Sequence, residues 1–227
     1  MIFEQIFDKN SSTYTYLIAS RFGAEALIID PVLENVNQYI SIMNKLDLQL
    51  VKVIDTHIHA DHVTGASKLR DETNCTTIMG QHTPSDIVQI KVKDQELIKI
   101  EGIKLKSIYT PGHTSDSYSF LMNDRVFSGD TLLINGTGRT DFQNGSAEDS
   151  YESIFQKLLT LPEKTLLYPA HDYNGKKFST IGTEKKFNPR LQVKNIDEYK
   201  DIMSNLNLSK PKLMDTNIEK NINMGAY

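Results

Sequence analysis

Seven consecutive residues, Thr56-His57-Ile58-His59-Ala60-Asp61-His62, constrain this chain more than any other stretch. They follow directly on Val51–Asp55, a short apolar run that reads as a strand. A lone histidine is most often a hydrogen-bonded core or surface residue. His82, in the loop-like Gln81-His82-Thr83-Pro84, is read that way. His-x-His-x-Asp-His is different, because three further segments end in the same manner. They are Tyr109-Thr-Pro-Gly-His113, Val126-Phe-Ser-Gly-Asp130 and Leu167-Tyr-Pro-Ala-His171. Strand ends that empty onto one sheet edge bring side chains from distant sequence into a common crevice. Imidazole and carboxylate together suit Zn, Fe or Mn, and soft-thiolate metals are disfavoured because no cysteine sits nearby.

The rest of the chain supplies strands and helices around these points. Ile2–Phe7, Tyr14–Ser20 and Ala26–Asp30 read as strands, with Asp30-Pro31 stopping the third. Val36, Ile40, Met43 and Leu46 recur at helical spacing within Asn35–Leu46, and a second helix is expected over Val63–Thr73. Thr76–Met79, Glu96–Ile100 and Lys104–Tyr109 are strand-like. Tyr118–Met122 and Val126–Ser128 form a hairpin through Asn123-Asp124. Ser146 is an N-cap for a helix reaching Leu159, with Glu148 and Asp149 favourable in its first turn. Thr165–Tyr168 is a strand, and Ile196–Leu206 is the last helix expected. Many β runs broken by helices fit a layered α/β sandwich better than a Rossmann-type alternation.

Composition narrows the function classes. A chain of 227 residues, 39% hydrophobic and 24% charged, is an ordinary globular protein able to bury a full core. The net charge of −4 argues against a nucleic-acid backbone as main partner, while leaving a small anionic substrate open. Cys75 is the only cysteine, so an intrachain disulfide is impossible. The N-terminal Met-Ile-Phe-Glu-Gln-Ile-Phe-Asp has no basic leader region, and no apolar stretch approaches the roughly 20 residues of a membrane span. A soluble cytoplasmic protein is expected, its oligomeric state open and a homodimer included.

Thr56–His62, Pro111-Gly112-His113-Thr114, Ser128-Gly129-Asp130 and Ala170-His171 together resemble the ordered metal motifs of the metallo-β-lactamase superfamily. That resemblance implies an α/β fold, the αββα four-layer sandwich, with residues 1–227 forming a single catalytic domain. Gly138-Arg139-Thr140-Asp141-Phe142-Gln143, Tyr168–Tyr173, Asn188-Pro189-Arg190-Leu191 and the tail from Met203 to Pro211 are similar to the persulfide dioxygenases of the ethylmalonic-encephalopathy type. The likeness spans nearly the whole chain.

The resemblance implies one Fe(II) per chain, held by His57, His113 and Asp130 as a facial triad with positions left open for a persulfide sulfur and O2. The implied reaction, a sulfide-detoxifying step, converts glutathione persulfide, O2 and water to glutathione and sulfite. His59, Asp61, His62 and His171 would orient the ligands, move protons or fill a second metal site. Arg139, Arg190 and Tyr173 are the expected contacts to the anionic tripeptide, with Asp61, His62 and Tyr173 as catalytic groups. Asp141 is a structural partner for Arg139 in the same reading. One departure is Ser115-Asp116, where the family has Pro-Gly after Gly-His-Thr; Asp116 is expected to alter charge at the entrance. The rival is a binuclear Zn hydrolase similar to glyoxalase II, with Asp130 bridging two metals and a thioester as substrate. A non-catalytic metal-dependent binding protein is disfavoured by the intact ligand set.

Overall fold

In the computed structural model, Ile2–Asp8 (β1) and Thr13–Ala19 (β2) pair antiparallel, with Ile2 opposite Ala19 and Asp8 opposite Thr13. Residues 1–210 and 213–226 are described, so Pro211 of the matched tail lies outside the described residues. β1 is half-exposed and β2 is buried along its whole length, as an edge strand and its inner neighbour should be. Glu25–Ile29 (β3) is antiparallel to β2. Gln49–Ile54 (β4), Thr76–Gly80 (β5) and Ile90–Val92 (β6) then follow parallel to their neighbours, giving the order β1-β2-β3-β4-β5-β6. Parallel neighbours need a crossover. Val36–Lys45 (α1) supplies it between β3 and β4, and Ala66–Thr73 (α2) between β4 and β5. Leu17, Ile28 and Val53 from the sheet pack with Tyr39, Met43 and Leu69 from these helices. Leu97–Ile100 (β7) and a C-terminal helix, Met214–Ile222, belong to the same compact unit.

A second compact unit holds residues 93–96 and 106–209. Ile103–Tyr109 (β8) runs into it, followed by Tyr118–Leu121 (β9) and Arg125–Gly129 (β10), each antiparallel to the one before. Leu132–Leu133 (β11) and Gly136–Thr137 (β12) make a short hairpin. Leu166–Pro169 (β13) lies parallel to β10, with Ser179–Thr180 (β14) antiparallel on its far side. The Ser146 hydroxyl accepts the Asp149 N–H and starts Ala147–Tyr151 (α3), which continues through a π turn, Glu152–Lys157, into a 3-10 turn, Leu158–Thr160. Ile181–Phe187 (α4) and Ile196–Ser204 (α5) complete the unit. Val126, Leu158, Leu167, Ile181, Tyr199 and Met203 form its core.

The expected strands and helices are present with ends shifted by a few residues. α2 starts at Ala66 rather than Val63, because the residues before it form the turn that carries the ligand-type side chains. Four short strands (β6, β11, β12 and β14), α4 and the C-terminal helix, Met214–Ile222 (α6), were not expected. α4 contains Gly182, and α6 contains Asn217 and Asn221; both residue types weaken a helical reading of sequence.

Candidate metal centre

Register explains why acidic groups meet in the first unit. Ile29 pairs with Ile54 across β3 and β4, so the next residues, Asp30 and Asp55, leave the sheet side by side. Asp30 has φ +51°, a left-handed conformation that Asp tolerates, and it turns its carboxylate back under the following loop. That carboxylate accepts the Thr56 N–H at 2.7 Å and the Thr56 hydroxyl at 3.0 Å, and meets His59 Nε2 at 3.1 Å. A hydroxyl has one proton. With the Thr56 proton on Asp30, Thr56 Oγ1 accepts from His57 Nδ1 at 2.9 Å. His57 is thereby the Nδ1–H tautomer, with its Nε2 lone pair directed away from this chain of bonds. Outer partners of this kind are what fix a histidine as a metal ligand.

The remaining groups of the motif are tied locally. His62 Nδ1 lies 2.9 Å from Asp61 Oδ2, and the Thr13 hydroxyl donates to the same oxygen at 3.1 Å. The rings of His57 and His59 are 4.2 Å apart, and those of His59 and His62 are 4.4 Å apart. His59, Asp61 and His62 each offer a ligand atom within 4.8 Å of the others. His59 Nδ1 is buried without a hydrogen-bond partner. An orphaned buried nitrogen beside a carboxylate and two imidazoles is chemically suited to a divalent cation.

Asp30, Asp55 and His59 make a buried ionic cluster behind the loop. Burial works against the His59 imidazolium, but the Asp30 carboxylate, aided by Asp55 and Asp61, outweighs it and raises the pKa to about 9. Burial raises Asp55 to about 7; His59 lowers it, Asp30 raises it and the Thr64 hydroxyl lowers it. Both folded values lie above the ordinary values of 6.5 for His and 3.8 for Asp. The stability these groups contribute is therefore complete below the unfolded values and is lost as pH rises, through about 7 for Asp55 and about 9 for His59. Metal-free protein should accordingly denature at lower urea concentration near pH 9 than near pH 6, and Asp30→Asn should flatten that dependence. An Asp30→Asn variant with the wild-type pH slope would show that Asp30 does not charge His59.

The second unit repeats the strand-end device. β10 and β13 are parallel with Gly129 opposite Pro169, so Asp130 and His171 emerge next to each other. Asp130 Oδ1 lies 2.7 Å from His171 Nδ1, and Asp130 Oδ2 lies 3.6 Å from His113 Nε2. His113 Nδ1 donates to the Arg139 carbonyl at 2.8 Å, which leaves His113 Nε2 with its lone pair on the Asp130 side. Gly138 lets this approach happen, since a Cβ there would strike the Asp130 carbonyl oxygen and the His113 ring. The donors present, imidazole nitrogen and carboxylate oxygen with fixed tautomers, fit Fe, Mn or Zn.

The expected substrate contacts differ in availability. Arg139 Nε and Nη2 bind Asp141, Nη2 also reaches the Leu208 carbonyl, and Nη1 reaches the Ser209 carbonyl. Four of the five guanidinium N–H groups are used inside the protein. Arg190 is half-buried and gives Nη1 to the Thr137 carbonyl and hydroxyl. Burial depresses its pKa, and no carboxylate among the described residues pairs with it. Tyr173 is 72% exposed with its ring stacked on His171. Asp116 is 4% exposed, so the expectation that it alters charge at an entrance is corrected: the Ser115-Asp116 turn folds that carboxylate inward. In the sequence Asp30 reads only as a strand stop. The signal for its role was an acid at a strand end next to Pro31.

Comparison with known proteins agrees with these features. The sequence model of the metallo-beta-lactamase superfamily matches residues 9–87 and 80–171. The mitochondrial persulfide dioxygenase ETHE1 of Homo sapiens is 39% identical over 229 residues, covering 100% of this chain and 89% of that protein. The crystal structure of ETHE1 from Myxococcus xanthus superposes with a TM-score of 0.97 at 45% identity, covering 100% of both chains. A metallo-beta-lactamase structure from Staphylococcus aureus gives 0.89 at 28% identity over 97% of this chain and 71% of that one. No helix among the described residues is long and apolar enough to cross a membrane. The chain thus has the metallo-β-lactamase fold and belongs to the metallo-β-lactamase superfamily, within its family of persulfide dioxygenases.

Proposed function

We propose that this protein is an Fe(II)-dependent dioxygenase of low-molecular-weight persulfides, with glutathione persulfide as substrate and one iron held by His57, His113 and Asp130. The relatives' names support the reaction class, because the identity runs across the full chain. The observation that carries the single-metal reading is at Asp130. There Oδ1 lies 2.7 Å from His171 Nδ1 and Oδ2 lies 3.6 Å from His113 Nε2, so the oxygen beside the His113 ligand nitrogen is the one set apart from the His171 contact. Bound iron would supply redox capacity and open coordination positions, which zinc does not combine. The balance is one persulfide, one O2 and one water giving one glutathione, one sulfite and two protons.

The chain's own groups divide the remaining work. Arg190 has three guanidinium N–H groups beyond its two bonds to Thr137 and no internal carboxylate, so it is the stronger anchor for a glutathione carboxylate. Arg139 keeps one free N–H and mainly holds the backbone whose carbonyl orients His113. Tyr173 offers an exposed hydroxyl beside His171, and Asp61 with His62 forms a pair able to hold or pass a proton.

A binuclear thioester hydrolase is the second reading, favoured by the orphaned His59 Nδ1 and its closeness to Asp61 and His62. One preparation separates the two. Anaerobically purified protein should contain about one iron and little zinc, take up O2 with glutathione persulfide, and release one sulfite per O2. Lactoylglutathione hydrolysis should be slow on the same sample. Two zinc equivalents with rapid thioester hydrolysis and no O2 uptake with any persulfide would overturn the dioxygenase reading.

A further inference from the structure

The ligand-bearing stretch His57–His62 is irregular backbone, so its carbonyls have no ladder to join and must find other donors. α6 provides them from the other end of the sequence. Asn221 Nδ2 donates to the His59 carbonyl at 2.8 Å and to the His62 carbonyl at 2.7 Å, while its Oδ1 accepts the Thr64 N–H at 2.9 Å. One turn earlier, Asn217 Nδ2 donates to the Ala60 carbonyl at 3.1 Å. The two side chains are 2% and 6% exposed.

α6 is itself well anchored. Ile218, Ile222 and Met224 pack on the first unit's core, and Ser67 N–H donates to the Met224 carbonyl at 3.0 Å. Gly225, at φ +71°, passes so near the Thr64 carbonyl that a Cβ would collide with it. The helix is thus fixed before its amides reach the loop.

We propose that Asn221, seconded by Asn217, is a positioning residue of the metal centre, holding the peptide planes of His59–His62 and through them the directions of the imidazoles. The C-terminal helix is then part of the metal site although it contributes no ligand. This rests on the reading of the loop as metal-binding. Only an amide satisfies the geometry at position 221, since two donors and one acceptor must leave one planar group. An aspartate of equal size would face two carbonyl oxygens with oxygen and repel both.

The test uses full-length protein loaded with Co(II) or Fe(II), comparing wild type with Asn221→Asp, Asn221→Ala and Asn217→Ala. Metal transfer to a chelator is timed well below the melting temperature, with far-UV circular dichroism reporting the fold and visible absorption reporting cobalt geometry. Both Asn221 variants should keep the wild-type dichroism, show an altered cobalt spectrum and release metal about ten- to a hundredfold faster. Asn217→Ala should show a smaller acceleration. Folded Asn221 variants with wild-type spectra and release rates would overturn the proposal. Should they fail to fold, an unchanged rate in Asn217→Ala does so instead. Wild-type protein that holds iron but oxidises no persulfide would defeat the reaction reading alone, because the release comparison does not depend on turnover.

Discussion

Asp130→Asn is expected to purify folded and nearly iron-free, with persulfide-dependent O2 uptake reduced to about 1% of wild type or less. The substitution keeps volume and leaves an oxygen for His171 Nδ1, so the β10–β13 strand ends retain their packing. It removes the negative charge and the carboxylate oxygen that lies 3.6 Å from His113 Nε2. Mutating an outer partner of a metal ligand commonly costs about 10- to 100-fold in affinity, and removing a ligand should cost more. His113→Ala should have the same effect on iron. Its own stability cost should be small, since the ring is partly exposed. Iron by elemental analysis and fold by circular dichroism decide the matter. An Asp130→Asn protein holding about one equivalent of iron would remove Asp130 from the ligand set.

Asp30→Ala should be the most destabilising single change near the site. The carboxylate is 1% exposed and is the common acceptor for the Thr56 N–H, the Thr56 hydroxyl and His59 Nε2. Removing one partner of a buried charged network typically costs about 3–5 kcal/mol, because the other groups stay buried without compensation. Alanine at the left-handed φ of position 30 adds roughly 1 kcal/mol. For a chain of this size the sum corresponds to a fall in Tm of roughly 8–24 °C for the metal-free protein. Iron retention should fall as well, since Thr56 would no longer be bound to donate only toward Asp30 and the His57 tautomer would be released. A metal-free Asp30→Ala protein melting within about 2 °C of wild type would show that the Thr56–His57 chain is held by something else.

Much of the site was legible in the chain. His57, His59, Asp61 and His62 fall within six residues after an apolar run, and His113, Asp130 and His171 each follow a strand pattern closed by Pro-Gly, Ser-Gly or Pro-Ala. Chemistry written at the ends of strands is local information, and it survives without a structure. The hairpin through Asn123-Asp124 and the Ser146 cap were readable for the same reason, as turn and cap residues act within four positions.

Residue type and local period thus determined the candidate ligand inventory, the strand-helix alternation and the family. Three things were decided only by tertiary structure. Register between β3 and β4 set Asp30 and Asp55 side by side and so charged His59, and a pairing of strands 25 residues apart is not written in either strand alone. Availability of the arginines was decided by partners far along the chain, the 208–209 carbonyls for Arg139 and Thr137 for Arg190. The grip of Asn221 on the His59–His62 loop spans about 160 residues, and the sequence hides it because asparagine-rich segments look like poor helices. Hydrogen bonds between distant residues depend on where the chain is brought, and the closure that brings them together is paid for by cores elsewhere in the fold.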